Sequence, residues 1–229
     1  MFSDLLLRDY IQFYNISSKG IIIDVQQTTA RQFDLDDMQS PFCLKPLGDG
    51  ALSFINNNEK LEIVNYENFV GQCKKPISFW EGRKRCDYVI CSTNVIEKEH
   101  SHVILAELTS TLGTIDNLRK PIHNKRGEVI FEGGKYEKAE IQLADSLSTL
   151  MAVPKIKKLF ESMQSKQCIL AYKVTPYKNP VKRMLHPMQR YLSIEAAETR
   201  ENGAILANKT INDNGFTFRR INHEVPYRL

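Results

Sequence analysis

The chain has 229 residues, of which 42% are hydrophobic and 25% charged, with 31 Lys and Arg against 27 Asp and Glu. This balance excludes collagen-like, low-complexity and disordered classes, and the length fits one large domain or a core domain with an appendage; the expectation is a single domain over residues 1–229. No run approaches the roughly 18–20 apolar residues of a membrane span, no basic segment precedes an apolar one at the N-terminus, and Cys43, Cys73, Cys86, Cys91 and Cys168 form no CxxC pair. The expectation is a soluble, unprocessed cytoplasmic protein with no membrane partner, disulfide framework or zinc knuckle.

Phe2, Leu5, Leu6, Tyr10, Ile11, Phe13 and Tyr14 recur at helical spacing and predict an opening helix at about 2–15. Gly20 to Val25 reads as a strand. From Gln27 to Gly71 the pattern is not decisive; it shows turns at Gly48-Asp49-Gly50 and Asn56-Asn57-Asn58 and a short helix around Tyr66 to Val70. Ile77 to Trp80 and Asp87 to Cys91 read as strands turned by Glu81 to Lys84, and Val103 to Leu108 as an apolar strand after a turn at 94–102. Tyr136, Ala139, Leu143, Leu147 and Leu150, at spacings of 3, 4, 4 and 3, predict a helix. Pro154 suits the first position of another, with Ile156, Leu159, Phe160 and Met163 as its apolar stripe. Gln167 to Val174 is a further strand, and Ala204 to Lys209 with Phe216 to Arg220 reads as a C-terminal β-hairpin around Asn214-Gly215. Strand, strand, helix, helix, strand is an α/β order in which the second half returns to the same sheet.

Charge is uneven. Between Lys155 and Arg190 nine basic residues face one acid, Glu161, so this segment carries +8 and the remainder −4 of the net +4. Such a segment is either a solvated face or a surface that tracks phosphates. Under the second reading Lys155, Lys157, Lys158, Lys178, Lys182 and Arg183 are the candidate nucleic-acid-binding residues, with Tyr172, Tyr177 and Tyr191 placed among the basic residues to stack or to pack.

Asp87 heads one apolar strand and Glu107 lies near the end of the next. A hairpin pairing 87–91 with 103–108 brings the two carboxylates within a few ångströms on one edge. Adjacent carboxylates repel, and a hard cation such as Mg²⁺ or Mn²⁺ relieves that cost, activates water and stabilises the charge that develops on a phosphodiester. His100 and His102 have no third ligand nearby in sequence, and the phosphate-loop, dinucleotide-binding and nucleophile-elbow motifs are absent.

Arg85-Cys86-Asp87-Tyr88-Val89-Ile90, Val103-Ile104-Leu105-Ala106-Glu107-Leu108-Thr109 and the helical Ala139-Glu140-Ile141-Gln142-Leu143 together resemble the PD-(D/E)XK, or restriction-endonuclease-like, nuclease superfamily. In that family an Asp starts the second core strand, a Glu-x-Lys ends the third, and a helix follows, often with a Gln. The resemblance covers roughly 77–174 and implies a mixed central sheet flanked by helices, with 1–76 and 175–229 as elaborations. It also implies metal ligation by Asp87 and Glu107, a site role for Gln142, and DNA hydrolysis in restriction or phage defence, with RNA left open, as a subunit of a larger defence complex; a homodimer is expected instead from an exposed edge of the tail hairpin, which would invite pairing with another chain.

The family's lysine, which orients the attacking water, falls at Thr109. Lys138, four residues before Gln142, is the first candidate to replace it, followed by Lys135, Lys84 and Arg85. Glu67 and Glu81 are candidate third acids. The absent lysine also supports a second expectation, a catalytically degenerate nuclease-fold subunit that binds nucleic acid or a protein partner. A third is an α/β domain that binds a small molecule or protein and no nucleic acid.

Overall fold

The two longest apolar strands become the middle of the main sheet. The computed structural model describes residues 1–36, 44–73, 85–93, 101–175 and 197–229. The opening helix, α1, runs over 2–13 as three consecutive pieces, the middle one, Leu6–Tyr10, a π-turn. Then come β1 (Val25–Thr28), β2 (Phe33–Leu35), β3 (Leu52–Ile55), β4 (Leu61–Asn65), α2 (Tyr66–Gln72), β5 (Tyr88–Ser92) and β6 (His102–Leu112). After a short 3₁₀ turn, Ile115–Leu118, follow β7 (Ile122–His123), β8 (Val129–Phe131), α3 (Gly134–Met151), α4 (Pro154–Ser162) and β9 (Ser165–Thr175). The chain closes with β10 (Ala204–Leu206), α5 (Lys209–Asp213), β11 (Thr217–Asn222) and β12 (Tyr227–Arg228).

Seven strands form a mixed sheet in the order β1-β4-β5-β6-β9-β11-β10. β4, β5 and β6 pair antiparallel in succession, and β6 and β9 run parallel, with α3 and α4 forming the crossover that a parallel pair requires. Val103 to Leu108 are buried on both faces because both faces are covered. Val103, Leu105, Cys168 and Leu170 pack under the helices with Leu143, Leu147 and Phe160. Ile104, Ala106, Leu108 and Ile169 pack on a small second sheet, β12-β3-β2, through Phe54, Leu52 and Tyr227. The molecule is therefore α/β, with a large mixed sheet carrying helices on one face.

The strand expected at Gly20 to Val25 begins only at Val25. Ile22 is 74% exposed, and its backbone N–H and carbonyl are both taken, at 2.9 Å, by the side-chain amide of Gln72 in place of a strand ladder. The expected tail hairpin is not a tight Asn-Gly turn either. Asn208 caps α5 by accepting from Ile211 N–H at 3.0 Å, so a helix separates the two strands, and Gly215, at φ +76°, serves the helix exit. β11 joins the main sheet, parallel to β9. Together β1, β4, β10 and β11 extend that sheet well outside 77–174. The strand expected at Ile77 to Trp80, its turn at 81–84 and most of the 94–102 turn lie outside the described residues.

Cys73, Cys86, Cys91 and Cys168 are free and buried, and desolvation pushes the Cys73 thiol up to about 11. Among the described residues no helix is long and apolar enough to cross a membrane.

Candidate functional site

Two helices fix the entry to β5. From α3, Gln142 Nε2 donates to the Arg85 carbonyl at 2.7 Å, and Ser146 Oγ, one turn further on, accepts from Cys86 N–H at 2.7 Å. From the first turn of α2, Tyr66 and Glu67 N–H donate to the Asp87 carbonyl at 2.8 and 3.2 Å. The Asp87 side chain reaches across to β6, where its Oδ2 accepts from Leu108 N–H at 2.6 Å.

Register completes the arrangement. β5 and β6 pair Tyr88 with Ala106 and Cys91 with Val103, so one further step sets Asp87 opposite Glu107. By strand alternation both point to the face of Val89, Val103 and Leu105, beneath α3. Directly opposed Cβ atoms in an antiparallel pair are about 4.5–5.5 Å apart. Glu107 is 5% exposed and Asp87 is half-buried. Burial pushes the Cys86 thiol well up, and the nearby Glu107 and Asp87 carboxylates act in the same direction.

Thr109 follows Glu107 on this face, half-buried, and stands opposite Tyr172 of β9. Of the candidate lysines, Lys138 is exposed, whereas Lys135 Nζ donates to the Ser110 carbonyl at 2.5 Å, one residue past Thr109. Lys138 lies one turn before Gln142 on the same helix but is exposed where Gln142 packs on the sheet, and it is Lys135, in the first turn, that meets the end of β6. Gln142 itself is buried, its amide N–H holding backbone. Arg85 turns toward Glu67 at 3.7 Å, which also occupies that candidate third acid; Lys84 and Glu81 lie outside the described residues. No three His, Cys, Asp or Glu side chains among the described residues are grouped to hold a metal.

The same row of the sheet continues from Glu107 through Leu170 to Arg220. The Arg220 guanidinium lies 4.2 Å from the centre of the Tyr136 ring and pairs with the fully buried Glu198 at 2.5 Å. Neither partner carries a local signature in the sequence, because the pairing depends on β11 entering the main sheet.

No protein-family model, curated protein or solved structure matches the chain.

The basic segment divides differently from expectation. Lys155 pairs with Asp9 at 2.6 Å and Lys157 with Glu161 at 3.8 Å, while Lys158 is exposed. All three sit on α4, ahead of Ser165, which pairs with His102, the first residue of β6 and five strand residues, roughly 17 Å, before Glu107. The ion pairs of Lys155 and Lys157 go to Asp9 and Glu161 and not to the two carboxylates. Lys178, Lys182 and Arg183, with Tyr177 and Tyr191, lie outside the described residues.

Proposed function

We propose that the Asp87–Glu107 face is the centre of a divalent-cation-dependent nuclease that hydrolyses DNA phosphodiester bonds, on a PD-(D/E)XK-like core. The observation that carries this reading is the cross-strand alignment of the two carboxylates under α3, with Asp87 at the head of β5 and Glu107 inside the buried stretch of β6. Two carboxylates aligned across a strand pair repel, and a hard divalent cation relieves that repulsion. Mg²⁺ and Mn²⁺ suit a pair of this kind, since Mg²⁺ binds through one or two carboxylates and keeps several waters. When bound, such an ion lowers the pKa of a coordinated water and neutralises charge on the phosphate.

The chain's own residues would divide the remaining work. Asp87 and Glu107 would hold the cation; Gln142 and Ser146 set the height of Asp87 by gripping Arg85 and Cys86. Leu108 N–H orients the Asp87 carboxylate. A setting in restriction or phage defence, as a subunit of a larger assembly, rests on the sequence resemblance alone.

Thr109 in the lysine position, together with a ligand set of two, favours one second reading: a catalytically degenerate fold that binds nucleic acid or a protein. Cleavage of supercoiled, linear and single-stranded DNA and of RNA with Mg²⁺ or Mn²⁺ separates them. The nuclease reading expects cation-dependent cutting of DNA that falls at least about 100-fold in both Asp87→Asn and Glu107→Gln, with both variants folded. Wild-type protein that binds DNA and leaves it intact under every cation supports the degenerate reading.

A further inference from the structure

Between Asp116 and Glu128 the chain carries Arg119, Lys120, Lys125 and Arg126 and no acid. This stretch leads into and around the β7–β8 hairpin, which stands between the end of β6 and the start of α3, so it projects from the end of the sheet where Thr109 lies. Lys120, His123, Lys125 and Arg126 are exposed. Val129 and Ile130, consecutive and therefore on opposite faces of β8, are each 48% exposed, so both faces of the ribbon are open to solvent at these positions, whereas Phe131 at its base is buried.

The hairpin is held in place. Asn124 Oδ1 accepts from Arg126 and Glu128 N–H at 2.8 and 3.0 Å, and its Nδ2 donates to the Glu128 carboxylate at 2.6 Å. The one acid at the tip is thereby committed to the turn, while Lys125 and Arg126 face solvent. At the base, Phe131 and Leu118 are buried. Gly134, at φ +70°, lets the start of α3 meet the Leu118 and Lys120 carbonyls so closely that a Cβ there would lie 2.5 Å from each. Asn117 Nδ2 donates to the Leu112 carbonyl at 2.6 Å, tying the excursion to the last residue of β6.

We infer that the β7–β8 ribbon is the arm that grips duplex DNA, its basic tip lying along the phosphates of the major groove while the Asp87–Glu107 face meets the backbone. Three observations favour this partner: four exposed basic residues with no acid between Asp116 and Glu128, the solvent-open positions on both ribbon faces, and a preorganised turn that binds without an ordering cost. The major groove of B-form DNA admits a two-stranded β-ribbon, whereas that of A-form RNA is too deep and narrow for protein side chains to read. This inference rests on the nuclease reading for its orientation, but its contact with DNA is tested separately.

The test uses the full chain, wild type and Lys125→Ala/Arg126→Ala, in fluorescence anisotropy with a labelled DNA duplex, the matching RNA duplex and a salt titration without divalent cation; circular dichroism verifies folding. The turn's own bonds come from Asn124, Gly127, Glu128 and the Arg126 backbone N–H, which alanine retains, so the double variant leaves them intact. Expected is at least a 10-fold weaker DNA affinity at 0.1 M salt and a salt slope smaller by about 1.8, two phosphate contacts at about 0.9 each. Such a loss, in a protein whose wild type leaves DNA intact with Mg²⁺ and with Mn²⁺ in the cleavage assay, upholds the arm and sinks the nuclease reading. Wild-type cutting with unchanged affinity and slope in the double variant does the reverse. Absence of wild-type duplex DNA binding, equal or tighter binding of the RNA duplex, or a loss confined to Lys157→Ala/Lys158→Ala overturns the arm.

Discussion

Lys135 puts an ammonium group at the end of β6, where Thr109 supplies no cation. If the Asp87–Glu107 face hydrolyses phosphodiesters, this is the described lysine positioned to meet negative charge developing past Glu107. Lys135→Ala is expected to lower the cleavage rate about 100-fold, the usual cost of removing one preorganised charge-stabilising donor, while the thermal midpoint stays near that of wild type because a partly exposed hydrogen bond is lost. Single-turnover cleavage beside a melting curve checks it, and wild-type rates in the variant would dismiss Lys135. The carboxylates themselves were legible in the sequence: alternation and an antiparallel hairpin suffice to align 87 with 107. Choosing between Lys135 and Lys138 was not possible from spacing, because the choice depends on where α3 starts relative to the end of β6.

At the scale of elements, Glu62 shows how one buried charge both hid a strand and built a helix. It interrupts the apolar run Leu61-Glu62-Ile63-Val64, which is why β4 escaped the sequence reading. In the fold it is 1% exposed and accepts from Phe2 N–H at 2.7 Å, Ser3 N–H at 3.3 Å and Ser3 Oγ at 2.6 Å, capping the orphan donors of α1 from another element. Glu62→Ala strands those donors and removes a favourable charge at a helix N-terminus, so a loss of about 3 kcal/mol is expected, and a smaller one for Glu62→Gln. Urea unfolding at constant slope measures both; equal stability in all three proteins would show that α1 is held by packing alone. The missing strand at Gly20 to Val25 has the same kind of cause, a distant Gln72 amide taking the Ile22 backbone. Contacts of this separation leave no periodic trace.

At the scale of the whole molecule, the last residues of the described chain bind the two layers together. β11 completes the main sheet beside β9, Ile221 turns into the opposite core, and β12 then pairs in parallel with β3 of the small sheet. Tyr227 is 5% exposed and packs edge-on against Phe54 with ring centres 6.0 Å apart. The small sheet covers the face opposite the helices, whereas Asp87 and Glu107 point toward α3, so stability of that layer and chemistry of the site are separable. Tyr227→Ala should therefore cost about 3 kcal/mol through the cavity it leaves and, if the Asp87–Glu107 face is a nuclease centre, keep the cleavage rate per folded molecule at the wild-type value. Urea denaturation gives the first quantity, and cleavage measured well below the unfolding midpoint gives the second. A rate that falls further than the folded fraction would mean that the small sheet sets the register of β5 and β6, since the backs of those strands, through Tyr88, Ala106 and Leu108, rest on it.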